Sequence, residues 1–142
     1  MTDTGQVCHY LEAAPADIEG TCKWSSGLAY DDNISGTETA IGTGRKNTTL
    51  ILSVDINAPA ARACMVGYNA GGTKTDWFLP SRDELDQLYK KRVFIDDLHA
   101  TYFYWSSTQG INNFAEMWNF ENGILYLDKK DSMYFVRAIR AF

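Results

Sequence analysis

Cysteine, histidine and proline are all scarce in this 142-residue chain, and no apolar run approaches the roughly 18 residues of a membrane-spanning helix. Each shortage excludes something. Cys8, Cys22 and Cys64 are an odd number without a C-x-x-C spacing, so neither a zinc site nor a dithiol redox pair has its ligands. One internal disulfide or buried free thiols are both compatible with that count. His9 and His99 stand alone, with no H-E-x-x-H pattern, and read as structural histidines. Cations are outnumbered 13 to 18 and scattered as Arg45-Lys46, Lys90-Lys91-Arg92 and Lys129-Lys130. A net charge of -5 argues against nucleic acid as a partner. The opening MTDTGQVC has neither the basic nor the apolar region of a signal peptide, which leaves open excision from a longer secreted or virion-borne protein.

Catalytic constellations are missing too. Ser106-Ser107-Thr108 lacks the glycine frame of a nucleophile elbow, and Gly42 to Thr48 has the wrong glycine spacing for a phosphate loop, so both read as backbone-bonding turns or strand exits. Asp83, Glu84 and Asp86 read as helix-surface acids. No enzymatic activity, metal or cofactor is expected. Asn33-Ile34-Ser35 and Asn47-Thr48-Thr49 match glycan acceptor triplets, which matter only on a glycosylating route.

What the chain does contain is one domain's worth of ordinary globular composition, with aromatics concentrated in the C-terminal third. The first half reads as loops and short strands, with GTGRKNTTLIL passing from a turn into the apolar run Leu50 to Val54. Alanine-rich NAPAARACMVGY, with Pro59 in its first turn, predicts a helix from about Ala58 to Tyr68, ended by Gly71-Gly72. A second helix, Arg82 to about Lys91, follows from the Ser81/Glu84 capping box, Asp83 in the first turn and Lys90, Lys91 and Arg92 in the last. Beyond it the texture is β: YFYWSS, a hairpin in WNFENGILYL, a turn at Lys129 to Ser132, and MYFVRAIRAF read as strand from its context.

A two-residue Asn122-Gly123 turn sets Glu121 opposite Ile124 and Trp118 opposite Leu127. Trp118, Phe120, Leu125 and Leu127 then form a packed face. Met117, Asn119, Glu121, Ile124, Tyr126 and Asp128 form a second face of no evident packing logic. The core is expected from Trp77, Phe78, Leu79, Trp105, Phe120, Val136 and Ile139, with Arg137 and Arg140 pairing with carboxylates or carbonyls. The pattern predicts an α+β domain, two helices packed on antiparallel sheets.

YLEAAP (Tyr10 to Pro15), AIGTGxxNT (Ala40 to Thr48), DWFLPSRDEL (Asp76 to Leu85), YWSST (Tyr104 to Thr108), Ala115, Phe120, Asn122-Gly123, Lys130 and VRAIRAF (Val136 to Phe142) occur in one order along nearly the whole chain. In this it resembles the variable proteins of diversity-generating retroelements and related bacterial, archaeal and phage surface domains. That resemblance implies a C-type lectin-like fold over residues 1–142, with a diversified region at about 104–142. It implies a display scaffold rewritten at template adenines by a reverse transcriptase, binding variable protein or cell-surface ligands. Surface or virion display is expected with it, as a monomer or in a larger assembly.

The genetic code filters the positions. Asparagine codons randomised at their adenines never give Met, Glu, Gln, Lys or Trp, which removes Glu116, Met117, Trp118, Glu121 and Met133. The residues that pass are Gly110, Ile111, Asn112, Phe114, Asn119, Ile124, Tyr126, Asp128, Asp131, Ser132 and Tyr134, and these are the expected variable contacts. Three rivals are weaker. A calcium-dependent sugar lectin needs a Trp-Asn-Asp triplet, and here Trp118-Asn119 precedes Phe120. An oxidase of the formylglycine-generating kind needs C-terminal cysteines, and none follows Cys64. The third is a structural or adhesive domain of a surface or phage tail protein without diversification.

Overall fold

The computed structural model describes residues 10–25, 33–68, 74–99 and 101–142. Cys8, His9 and the Gly71-Gly72 helix stop lie outside them. The chain is mixed α+β, with three α-helices and two antiparallel sheets among the described residues. In order come β1 (Leu11–Ala13), α1 (Gly44–Val54), α2 (Pro59–Arg62), α3 (Arg82–Lys90), β2 (Phe103–Gln109), β3 (Phe114–Asn119), β4 (Ile124–Lys129) and β5 (Ile139–Ala141). A π-helical turn, Ala63–Gly67, extends α2, and a short 3-10 turn, Arg92–Phe94, follows α3. No helix of the described residues is long and apolar enough to cross a membrane.

The helix α1 corrects the expectation of two helices. Thr48, Thr49, Ile51 and Val54 make the segment look β-like, because branched side chains lose rotamer freedom in a helix. Here the hydroxyls of Thr48 and Thr49 donate back to the carbonyls of Gly44 and Arg45 one turn earlier, and Ile51 is buried without exposure. Tertiary burial overrides propensity. Asn47 is also fully buried, bonded to the Glu38 backbone through both side-chain groups and donating to Ser107 Oγ at 3.2 Å, so its glycan triplet is sealed in the folded chain. Asn33 is exposed.

The helix α3 has the expected capping box, Ser81 with Glu84. Glu84, however, is not a surface acid. It is fully buried, with Oε1 accepting from Ser81 N at 2.8 Å and Oε2 from Gly42 N at 3.3 Å, just ahead of α1. Burial pushes its carboxyl above the usual range, although these donors pull the other way. The Gly42-Thr43-Gly44 turn therefore receives an internal carboxylate. A Cβ on Gly44 would lie 2.1 Å from Glu84 Oε1 and 2.8 Å from Phe78 Cε2. Gly44→Ala should lower stability by about 1–3 kcal/mol despite alanine's better helix propensity, because the clash is with buried groups. A thermal melt at matched pH checks this.

Two apolar clusters flank the sheet β2-β3-β4. Trp105, Met117 and Ala115 turn into the larger one, with Trp24, Ile51, Trp77 and Val136. Tyr104, Phe120 and partly buried Trp118 turn towards Leu85, Leu88 and Tyr89 of α3. All seven expected core residues are buried. The C-terminal run is zipped antiparallel to the N-terminal segment, with Leu11 opposite Ala141 in β1-β5 and further backbone bonds from Ala14 to Ala138, Ile18 to Val136 and Cys22 to Tyr134. Cys22 and Cys64 are free thiols, half-buried and buried, and burial pushes both thiols up.

Both arginines of VRAIRAF are framework. Arg137 is fully buried and donates to Asp17 Oδ1 at 2.6 Å, Ala14 O at 2.7 Å and Asp96 O at 3.0 Å. Arg140 forks onto both oxygens of Asp76 and reaches Glu12.

Candidate functional site

The hairpin that carries the second face is offset by two residues from the expected register. Asn119 stands opposite Ile124, Trp118 opposite Leu125, Met117 opposite Tyr126 and Glu116 opposite Leu127. The connection is therefore four residues, Phe120 to Gly123. Gly123 alone of these has a left-handed φ, +71°, whereas a two-residue turn of the expected type needs Asn122 there as well. Side chains stabilise the longer loop: Asn119 Oδ1 accepts from Glu121 N, and Asn122 Oδ1 accepts from Ile124 N. Phe120 leaves the strand for the turn yet stays buried, its ring 4.6 Å from Tyr104 and 5.6 Å from Tyr89. Tyr89 also packs so closely on Gly123 that a Cβ there would lie 2.6 Å from its ring.

A shift of two keeps alternation intact, so the remaining strand residues keep their faces, while Phe120 and Glu121 pass into the turn. Their burial differs from expectation. Met117 is only 4% exposed, because β3 is the central strand and covered on both sides. Leu127, expected on the packed side, is 49% exposed because β4 is the edge strand.

Ile124, Tyr126 and Ile111 of the proposed contacts are exposed, as are Asn112 and Asp131. Phe114, Asp128, Ser132 and Tyr134 are half-buried. Asn119 is buried and committed to the turn, so it is not on the surface. Gly110 is confined: its N–H bonds Phe114 O, and a Cβ would meet Leu127 Cδ2 at 2.3 Å and Phe114 O at 3.0 Å. Asn112 has a φ of +52°, a conformation that asparagine tolerates and branched residues resist.

A continuous strip of rings runs from the exposed edge strand β4 into the core. Tyr126 meets Phe103 edge-on at 5.5 Å, Phe103 lies 5.5 Å from Tyr134, and Tyr134 lies 5.0 Å from Trp105. Phe103, on β2 and half-buried, joins the outer rings to the core and was not among the expected contacts. Its alternation with buried Tyr104 was the available signal. Exposed Met133 lies beside Tyr134 in sequence.

Asp128 and Tyr134 are coupled, the phenol donating to Asp128 Oδ2, with Lys129 N donating to Oδ1. Burial alone would raise the Asp128 carboxyl, but the Tyr134, Lys129 and Ser132 bonds outweigh it and hold it below the usual range. Burial first, then the Asp128 bond, pushes the Tyr134 phenol up to about 12. The signs follow. The depressed Asp128 supports folding above the ordinary carboxylate range and loses this support as pH falls through its folded value. The raised Tyr134 supports folding below the ordinary phenol value of about 10 and loses it as pH climbs through about 12. Ring-resonance titration by NMR should keep Tyr134 protonated at pH 11, and Asp128→Asn should lower its titration midpoint.

The strip holds no nucleophile-base pair, and among the described residues no group of three His, Cys, Asp or Glu could hold a metal. Asp17 accepts from Tyr104 Oη at 2.6 Å and meets His99 Nδ1 at 2.5 Å, while also bound by Arg137. His99 stacks on Phe135 at 4.2 Å. This cluster ties the segment before β2 to both ends of the fold. What the exposed edge strand and its loops can offer chemically is contact area from aromatic and branched side chains, with carboxylate and amide groups among them. No protein-family model matches the chain, and no curated protein matches it by sequence.

Proposed function

We propose that this chain is a ligand-binding display scaffold with a C-type lectin-like fold. Its C-terminal surface residues are diversified by retroelement mutagenesis to recognise variable protein or cell-surface ligands. One observation carries the reading. Among the residues that asparagine codons could not have produced, Glu116 and Met117 are buried, while Ile111, Asn112, Ile124, Tyr126 and Asp131 pass the filter and are exposed. Glu116 is also held by Arg82, whose guanidinium forks onto its carboxylate. Changeable side chains on an exposed edge strand and its flanking loops, backed by packed strands, suit a surface that must vary without unfolding.

Tyr126 supplies rigid contact area at low entropy cost, and Asn112, Asp131 and Ser132 supply adaptable hydrogen bonding. Phe114, Asp128 and Tyr134 form a half-buried margin. Asn119 and Gly110 belong with the framework.

Glu121 and Met133 are exposed yet fail the filter, and this favours a second reading, a fixed adhesive or structural surface. Sequencing the DNA around the gene separates the two. The first reading expects a near-copy of the 3′ coding end beside a reverse-transcriptase gene, differing at adenines in the codons of the exposed residues. Absence of the repeat, or adenines falling at buried codons such as those of Trp105 and Val136, would leave the fixed surface.

A further inference from the structure

Among the described residues the strand β4 is bonded on one side only, to β3. Its backbone polarity follows from the register. On β2 the Trp105 N–H points out of this sheet to Phe135 O, so the neighbouring Tyr104 is turned to β3, opposite Trp118. Met117 must then face β4, where it stands opposite Tyr126. Peptide groups alternate sides along an antiparallel strand, so Tyr126 bonds inwards while Leu125 and Leu127 present N–H and C=O to the open edge. The bond from Lys130 N to Asn113 O agrees with this alternation. The N–H of Lys129, next on the open side, is occupied by Asp128 Oδ1. Among the described residues nothing pairs with the edge groups of Leu125 and Leu127.

Sheets protect such edges with proline, charge or bulges. No proline follows Pro80, β4 is unbulged against β3, and Ile124 to Leu127 carries no charge. Exposed side chains flank this edge on both faces, Ile124 and Tyr126 on one and Leu127 on the other.

We propose that the ligand binds by strand addition. An extended polypeptide segment of the partner pairs with the open peptide groups of Leu125 and Leu127, while the neighbouring side chains read its sequence. This rests on the display reading and specifies its partner. Main-chain pairing is indifferent to which side chains occupy Ile124 and Tyr126, so diversification changes specificity over a constant docking interaction. Charge selects the occupant. Glu121, Asp128 and Asp131 flank the strand with Lys129 between them in sequence, on a chain of net charge -5. A second copy would bring like-charged surroundings together. A partner segment of alternating apolar residues with Lys or Arg at its ends is complementary.

Linear random heptapeptides displayed on phage, selected against the immobilised full chain and then synthesised, provide the probes. Leu127→Pro removes an outward N–H and no ladder bond, so circular dichroism and melting should report an intact fold. Selected peptides should alternate apolar residues, end in cations, slow amide exchange at Leu125 and Leu127, and bind Leu127→Pro about ten-fold or more weakly, with Leu127→Thr nearer the parent. Should the proline variant misfold, peptides N-methylated on the pairing edge should lose binding, and those methylated on the opposite edge should keep it. Failure to select any peptide, or binding that ignores both the proline and the methyl groups, overturns strand addition. Exchange slowed by protein concentration alone overturns it in favour of a second copy. Peptides lost on Tyr126→Ala but indifferent to Leu127→Pro would leave the display surface standing and remove only the edge pairing.

Discussion

Arg137→Met should destabilise the fold by about 3–5 kcal/mol, the range for removing one partner of a buried ion pair. The guanidinium has no exposure and spends its donors on three acceptors in two parts of the chain: Asp17 and Ala14 near the N-terminal strand, and Asp96 after α3. Methionine fills much of the volume but leaves the buried Asp17 carboxylate with only Tyr104 and His99, and leaves two carbonyls unmet. Arg137→Lys should recover little, because a single ammonium cannot reproduce the planar fork that spans three acceptors. Denaturant unfolding of the three proteins measures the loss. Equal stabilities for Arg and Met would mean that packing of the zipped termini, rather than this cluster, holds the C-terminal run in place.

Phe120→Ala and Tyr126→Ala, six residues apart on one hairpin, should differ severalfold in cost. Phe120 is 1% exposed, and its ring joins the turn to both Tyr104 of the sheet and Tyr89 of α3. Its loss should cost about 3–5 kcal/mol through the cavity left between helix and sheet. Tyr126 is 39% exposed and has one aromatic neighbour, Phe103, so its truncation should cost at most about 1 kcal/mol. Ligand capture should show the reverse order once stability is matched, with Tyr126→Ala the more damaging. Thermal melts that gave the two variants equal losses would mean that the framework and contact faces have been exchanged.

The sequence made some of this legible because local chemistry and tertiary packing agreed. The Ser81/Glu84 box starts α3 where its residues say, and the Trp77-Phe78-Leu79 run is buried as its apolarity demands. The alternation of the hairpin survived even a wrong register, since a shift of two preserves the faces. Other features depend on distant partners that no local pattern contains. The helix α1 is hidden by its branched residues. Glu84 looks like a solvated helix acid until Gly42 and Ser81 surround it. Asn119, at the end of β3, is buried and committed to the four-residue turn rather than to the surface, and Leu127 is exposed because β4 has one neighbour, a property of strand order that a hairpin alone does not encode.

The central claim is that the exposed edge strand and its flanking loops can be rewritten while the fold stays fixed. Its most direct measurement replaces Ile111, Asn112, Ile124, Tyr126, Asp131 and Ser132 together, in a library restricted to residues that asparagine codons can yield, and reads folding and binding for each clone. Most clones should melt within a few degrees of the parent, apart from branched residues at Asn112, whose φ is +52°, and should bind different targets. Broad loss of cooperative melting, or a binding profile unchanged across the library, would contradict it.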